Sequence, residues 1–218
     1  MRVLEEKDVE AVELKRRARF RQAMSDSRTA MVNRLETEVD PDMKALLKEQ
    51  IKRINKLIAK AERLCLETVR KNDSTNKLCE RFTQVGGVGA ITAMSILAGL
   101  PEIGTLSDEK LNRLVGISPE EDQSGSRDRL RRIWGGRQDV RNALYMAATA
   151  SLMWNSILGA YYRKKRAEGH PHKWAMVPTM RKLLSLLNRI ARDPDFTPRP
   201  EPESTKRNAI ATRKRKAA

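Results

Sequence analysis

A chain of 218 residues with 44 Lys and Arg against 28 Asp and Glu carries a formal net charge of +16, with a pI near 10.2. That surplus makes a polyanion the expected partner, nucleic acid first and an acidic membrane surface second, because each Lys or Arg that meets a phosphate releases condensed counterions. At 39% hydrophobic, 33% charged and only 4% aromatic, the composition supports one or two domains with modest cores and long exposed helices.

The first residues, Met1 to Glu6, lack the apolar core of a signal peptide, and the mostly apolar run from Gly89 to Leu100 is too short to span a bilayer. A cytoplasmic protein without membrane contact is expected. Cys65 and Cys79 have no close Cys or His neighbours in sequence, which supports neither a disulfide framework nor a zinc site with His170 and His172. No metal site is expected in this chain.

From Asp8 to Glu38, Phe20, Met24, Met31 and Leu35 recur at helical steps between basic residues, predicting an amphipathic helix. Asp40 suits an N-cap and Pro41 the first helical position. The next helix carries Leu47, Ile51, Ile54, Ile58, Ala61 and Cys65 at alternating steps of four and three, a heptad seam. Such a seam fits a helical hairpin closed on itself as well as a dimerising coiled coil.

Between Phe82 and Leu100, the run Gly87-Val88-Gly89 ahead of small residues has the pattern of a helix-hairpin-helix, whose second helix would offer free N–H groups to a phosphate. The alternative is a glycine turn that allows close helix packing. Ser107 with Asp108 and Glu109 opens a short helix ending at Gly116.

The stretch from Gly116 to Arg141 contains Ser124-Gly125, then Arg127, Arg129, Arg131, Arg132, Arg137 and Arg141 with no lysine among them, and a paired Gly135-Gly136. Guanidinium forks match two phosphate oxygens at once, so these arginines are read as phosphate contacts. Beyond them Val140, Leu144, Ala147, Leu152, Leu158 and Tyr161 predict one long helix to about Lys165, with Tyr145 in its packing face. After Gly169-His170-Pro171, a last helix carrying Leu183, Leu184, Leu186, Leu187 and Ile190 is expected to start near Pro178 or kink there. The Pro-rich and then basic segment beyond Asp193 is expected to be disordered.

These patterns give an all-α fold: an extended helical hairpin or coiled coil over 1–80, a compact helical domain with a helix-hairpin-helix-like motif over 81–193, and a basic tail over 194–218.

Val85-Gly86-Gly87-Val88-Gly89-Ala90, Gly116-Ile117-Ser118-Pro119, Ser124-Gly125, Arg131 to Arg137 with Val140 to Tyr145 behind it, and Met180 to Leu184 occur in an order that resembles bacterial insertion-sequence transposases. The group is the IS-one-ten and IS-eleven-eleven one, bridge-RNA-guided recombinases. By resemblance Ser124 is the nucleophile on DNA and the partners are DNA and a guide RNA; a homo-oligomer through the hairpin is the expectation drawn from its heptad seam. The resemblance also implies an N-terminal RuvC-like domain whose DEDD acids bind Mg; this sequence begins in what corresponds to the helical segment after that domain. Gly87, Gly89 and the six arginines are the candidate phosphate-binding residues. Asp122 and Asp128 flank the serine without forming a known dyad, so no general base is identified. The second reading is a non-catalytic, dimerising DNA- or RNA-binding module.

Overall fold

The computed structural model describes residues 6–118 and 135–198. These residues contain eight α-helices and no strand. The chain divides into two compact units, Met1–Asn76 and Lys77–Ala218. Among the described residues no helix is long and apolar enough to cross a membrane.

In the first unit, α1 (Glu6–Thr37) and α2 (Pro41–Lys71) pack on each other. Asp40 caps α2 by accepting from Asp42 N at 2.9 Å, and Pro41 takes the first position, where its missing N–H costs nothing. The heptad seam faces inward, with Leu47, Ile54, Ala61 and Cys65 buried. The seam's partner here is α1 of the same chain.

That partner face differs from the expected apolar stripe. Among the described residues of α1 only Leu14 is buried, and Phe20 is 49% exposed. Guanidinium groups hold the pairing instead: Arg17 donates to Leu64 O at 2.8 Å and Thr68 Oγ1 at 2.6 Å, Arg21 to Glu62 at 3.0 Å, and Arg28 to Asn55 Oδ1 at 2.7 Å. As positions rise along α1 they fall along α2, which sets an antiparallel register. With one flat helix opposite, the inward stripe is narrow, and the long Arg stems cover it while their heads reach α2 acceptors.

The second unit contains most of α3 (Asp73–Thr83), then α4 (Ala90–Gly99), α5 (Asp108–Val115), α6 (Gln138–Trp154), α7 (Ser156–Ala167) and α8 (His172–Arg192). α6 packs against α4, α5, α7 and α8, and α8 also packs against α5 and α7. Ile96, Leu111, Leu144, Met176, Leu183, Leu184, Leu187 and Ile190 form the centre, each essentially inaccessible.

The helix expected to run to Lys165 breaks at Asn155. This residue is extended, donates its N–H to Ser151 O as the C-cap of α6, and accepts from Leu158 N at 2.9 Å as the N-cap of α7. Periodicity cannot register the break because the apolar spacing resumes in phase on both sides. The turn folds α7 over the end of α6 so closely that a side chain on Gly159 would press on Leu152 O.

α8 begins directly after Pro171, six residues before Pro178, so of the two expected arrangements the start at Pro178 does not occur and the proline lies inside the helix. Pro178 offers no N–H to the Trp174 carbonyl, and Thr179 Oγ1 donates to the next one, Ala175 O, at 2.8 Å. Past Asp193 the chain stays attached as far as Phe196: Arg81 donates to Asp193 O at 2.7 Å and Phe196 O at 3.0 Å, and the Arg189 guanidinium lies 4.1 Å from the Phe196 ring centre. The tail from 199 onward lies outside the described residues.

Asn155 supports two helix ends, so Asn155→Ala should destabilise the protein by about 1–2 kcal/mol, whereas Asn155→Ser, which keeps an acceptor for Leu158 N, should recover most of that. Thermal unfolding midpoints check this; equal midpoints for Ala and Ser variants would contradict the capping role.

Candidate nucleic-acid interface

The glycine turn between α3 and α4 contains two different glycine roles. Gly86 and Gly87 sit against the C-terminal end of α6: a Cβ on Gly86 would overlap Trp154 O, one on Gly87 would overlap Ser151, and Gly87 has φ +99°. Ser151 Oγ completes the contact by donating to Gly86 O at 2.8 Å. Gly89 is different. It opens α4 in an extended conformation, a Cβ there would meet nothing, and among the described residues no side chain caps the first-turn N–H groups. Of the two glycines singled out in the sequence, Gly87 serves close packing and Gly89 leaves a helix start open to an anion.

A second close approach joins α5 to the start of α6. Gly116 ends α5 in the left-handed conformation with φ +76°, and Gly136 has φ +71°. A Cβ on Gly136 would overlap Gly116 N, and one on Gly116 would overlap Gly135 O. Arg137 N donates to Leu114 O at 2.8 Å across the same junction. The two chain ends that bracket segment 119–134 are thus held backbone to backbone in a neck.

Three arginines lock this neck. Arg137 makes a two-pronged pair with Glu102 at 2.5 and 2.6 Å and donates to Gly99 O at 3.0 Å. Hydrogen bonding to Glu102 outweighs partial burial and pushes the guanidinium further above its ordinary range. Arg141 donates to Val115 O at 3.0 Å, to Gly135 O and to Gln138. Arg181, given no role in the sequence reading, donates to Ile117 O at 2.7 Å; burial lowers its pKa, though a guanidinium stays charged. Two of the six arginines read as phosphate contacts therefore spend their donors inside the protein. Ser124, Arg127, Arg129, Arg131 and Arg132 lie outside the described residues.

Beside the neck is an open cleft of about 590 Å³ lined by Leu106, Lys110, Arg113, Leu114, Gly136 and Arg137. Lys110 and Arg113 stand exposed on α5 without a side-chain hydrogen bond or ion pair among the described residues. Sequence reasoning missed them because they sit before the arginine run, on a helix whose other face is core. Leu106 in the lining is tied to α8 by buried Asn188, which accepts from Gly104 N at 2.8 Å and donates to Leu106 O at 3.1 Å and Asp108 Oδ1 at 2.6 Å.

Tyr145 departs from the expected core packing: it is 38% exposed and its hydroxyl lies 3.2 Å from His172 Nε2. Cys65 and Cys79 are buried, and burial pushes both thiols up. Among the described residues no group of three or more His, Cys, Asp or Glu side chains is placed to hold a metal ion.

Residues 79–163 match the family model described as Transposase IS116/IS110/IS902 family. The match contains the glycine turn, both sides of the neck, Ser124 and all six arginines. No curated protein matches the chain.

The neck predicts a difference between adjacent glycines. Gly135→Ala should cost only the left-handed backbone penalty of about 1–2 kcal/mol, since a Cβ there meets nothing. Gly136→Ala should cost clearly more, because it adds overlap with the Gly116 backbone. Urea midpoints of the two variants decide it, and equal losses would show that the neck can part freely.

Proposed function

We propose that this chain, which carries a transposase domain of the IS116/IS110/IS902 family at residues 79–163, binds DNA at the neck and brings Ser124 to a phosphodiester for strand cleavage and exchange. The observation that carries the reading is the neck itself. It holds both ends of the serine-bearing segment together beside a cleft where Lys110 and Arg113 have no side-chain partner among the described residues.

In the proposed step the Ser124 Oγ–P bond forms as the P–O bond to the leaving strand breaks. The serine proton passes to a base and the departing strand oxygen gains a proton. The phosphoryl oxygens gather negative charge in the transition state, and preorganised cations lower its energy most where water is excluded. Lys110 and Arg113 supply charge from α5, the run from Arg127 to Arg132 supplies more, and the open start of α4 at Gly89 holds a backbone phosphate in the manner of a helix-hairpin-helix. Arg137 and Arg141 act by positioning the neck. Mg, which the family resemblance associates with a RuvC-like acid set, finds no fitting donor group among the described residues, so no step here runs through it. A guide RNA would draw on the same cationic surface.

The second reading, a non-catalytic dimerising module, is supported by one feature of the hairpin. Leu46, Leu57 and Leu64 stay exposed and fall on one flank of α2, since steps of eleven and seven residues are close to whole helical turns. Both readings place a homo-oligomer contact there. Leu57→Glu should then lower the molecular mass seen by light scattering, and an unchanged mass would remove this flank as the contact.

With a RuvC-like domain from a relative supplied in trans or fused upstream, wild-type protein should form a covalent DNA adduct that Ser124→Ala abolishes and Ser126→Ala retains. DNA affinity should survive Ser124→Ala, whereas Lys110→Ala and Arg113→Ala should weaken it and each reduce the salt slope by about one. An adduct lost only in Ser126→Ala would identify the wrong serine. Binding without an adduct in any complemented protein would put the non-catalytic reading ahead.

A further inference from the structure

Away from the neck, two of the chain's three tyrosines meet the same histidine. Tyr145 of α6 and Tyr162 of α7 converge on His172, the first residue of α8. The Tyr145 hydroxyl is 3.2 Å from Nε2 and the Tyr162 hydroxyl 2.7 Å from Nδ1, with the Tyr162 and His172 rings edge to face at 5.8 Å and 74°. A neutral imidazole has one N–H and one lone pair, so one tyrosine donates while the other accepts. Both nitrogens are therefore engaged, which removes the ring as a metal ligand and fixes all three rings in orientation.

Ring faces remain as the usable surface. His172 is exposed, Tyr145 is 38% exposed, and Met146 beside it is 63% exposed. The third tyrosine, Tyr161, contrasts with this pair: Lys182 covers its face at 4.5 Å. Several cations lie close to the cluster in sequence. Arg163, Lys164 and Arg166 are exposed on the last turns of α7, Arg166 one turn beyond Tyr162, and exposed Lys173 follows His172. Arg166 donates to His170 O, a neutral carbonyl that leaves its charge uncompensated.

Rigid, accessible π faces among cations are what unpaired nucleotides bind: bases stack while phosphates meet the charges, and a duplex cannot use the site because its bases are already stacked. We infer that Tyr145, His172 and Tyr162 form a stacking platform for unpaired nucleobases of a single-stranded nucleic acid, with Arg166 and Lys173 the cations closest to it for its phosphates. The inference rests on the reading that this chain acts on nucleic acid. It adds a strand-state preference that the neck does not provide.

The test uses the full chain with fluorescently labelled oligo-dT, oligo-rU and a mixed-sequence duplex DNA, comparing wild type, Tyr145→Ala and Tyr145→Phe. Tyr145→Ala should weaken single-strand binding at least about 5-fold and leave duplex binding unchanged, whereas Tyr145→Phe, which keeps the ring, should bind single strands nearly as wild type. A loss confined to oligo-rU or to oligo-dT supports the platform and assigns it to RNA or to DNA. Single-strand affinity unchanged in Tyr145→Ala while the wild type binds duplex would overturn the platform alone. So would equal losses in the Phe and Ala variants, since the hydroxyl's tie to His172 would then be what matters. Wild-type protein that binds none of the three probes would overturn the nucleic-acid reading and the platform with it.

Discussion

The contact between the Gly116 and Gly136 backbones constrains everything around the candidate interface. Two left-handed glycines let chain segments approach to a distance that any side chain would forbid, and α5, α6 and α8 are arranged to keep them there. Arg137 reaches back to Glu102 and Gly99, Arg141 to Val115 and Gly135, and Arg181 to Ile117, so guanidiniums from two helices satisfy carbonyls that the end of α5 and the turns around it would otherwise expose. Charge-assisted bonds to carbonyls and a two-pronged carboxylate pair fix direction as well as distance. The described residues on either side of segment 119–134 thus form a rigid base.

The hairpin uses the same residue type for another purpose. Arg17, Arg21 and Arg28 face α2 where an apolar seam would be expected, and each selects a particular partner: Leu64 and Thr68, Glu62, and Asn55. Apolar contacts alone would tolerate a slip of one turn along the hairpin. Directional donors specify the antiparallel register, and the apolar residues of α2, including Cys65 and Val69, supply most of the burial.

The net charge of +16 is therefore not one undivided surface. Part of it is internal wiring at the neck and along the hairpin. Another part, Lys110 and Arg113 beside the neck and Arg166 and Lys173 close in sequence to the tyrosine-histidine cluster, belongs to exposed residues. Counting charges predicts attraction to a polyanion, but only the side-chain partners tell which cations remain to provide it.

The sequence by itself determined the all-helical class, the cap and start of α2 at Asp40 and Pro41, the inward seam from Leu47 to Cys65, and the match of residues 79–163 to a transposase family model. These rest on local rules: helical period, cap chemistry, and a run of motifs in fixed order. It misplaced what depends on a neighbour from elsewhere in the chain. Asn155 divides α6 from α7 because its backbone N–H closes the first helix and its side-chain oxygen caps the second, an event that leaves the apolar period intact. Tyr145 has an apolar neighbourhood in sequence, yet faces outward because His172 and Tyr162 arrive from two other helices. Arg137 and Arg141 look like their neighbours in the arginine run until Glu102, Gly99 and Val115 are brought beside them. A side chain's type sets what it can bind, and the tertiary structure decided what was within its reach.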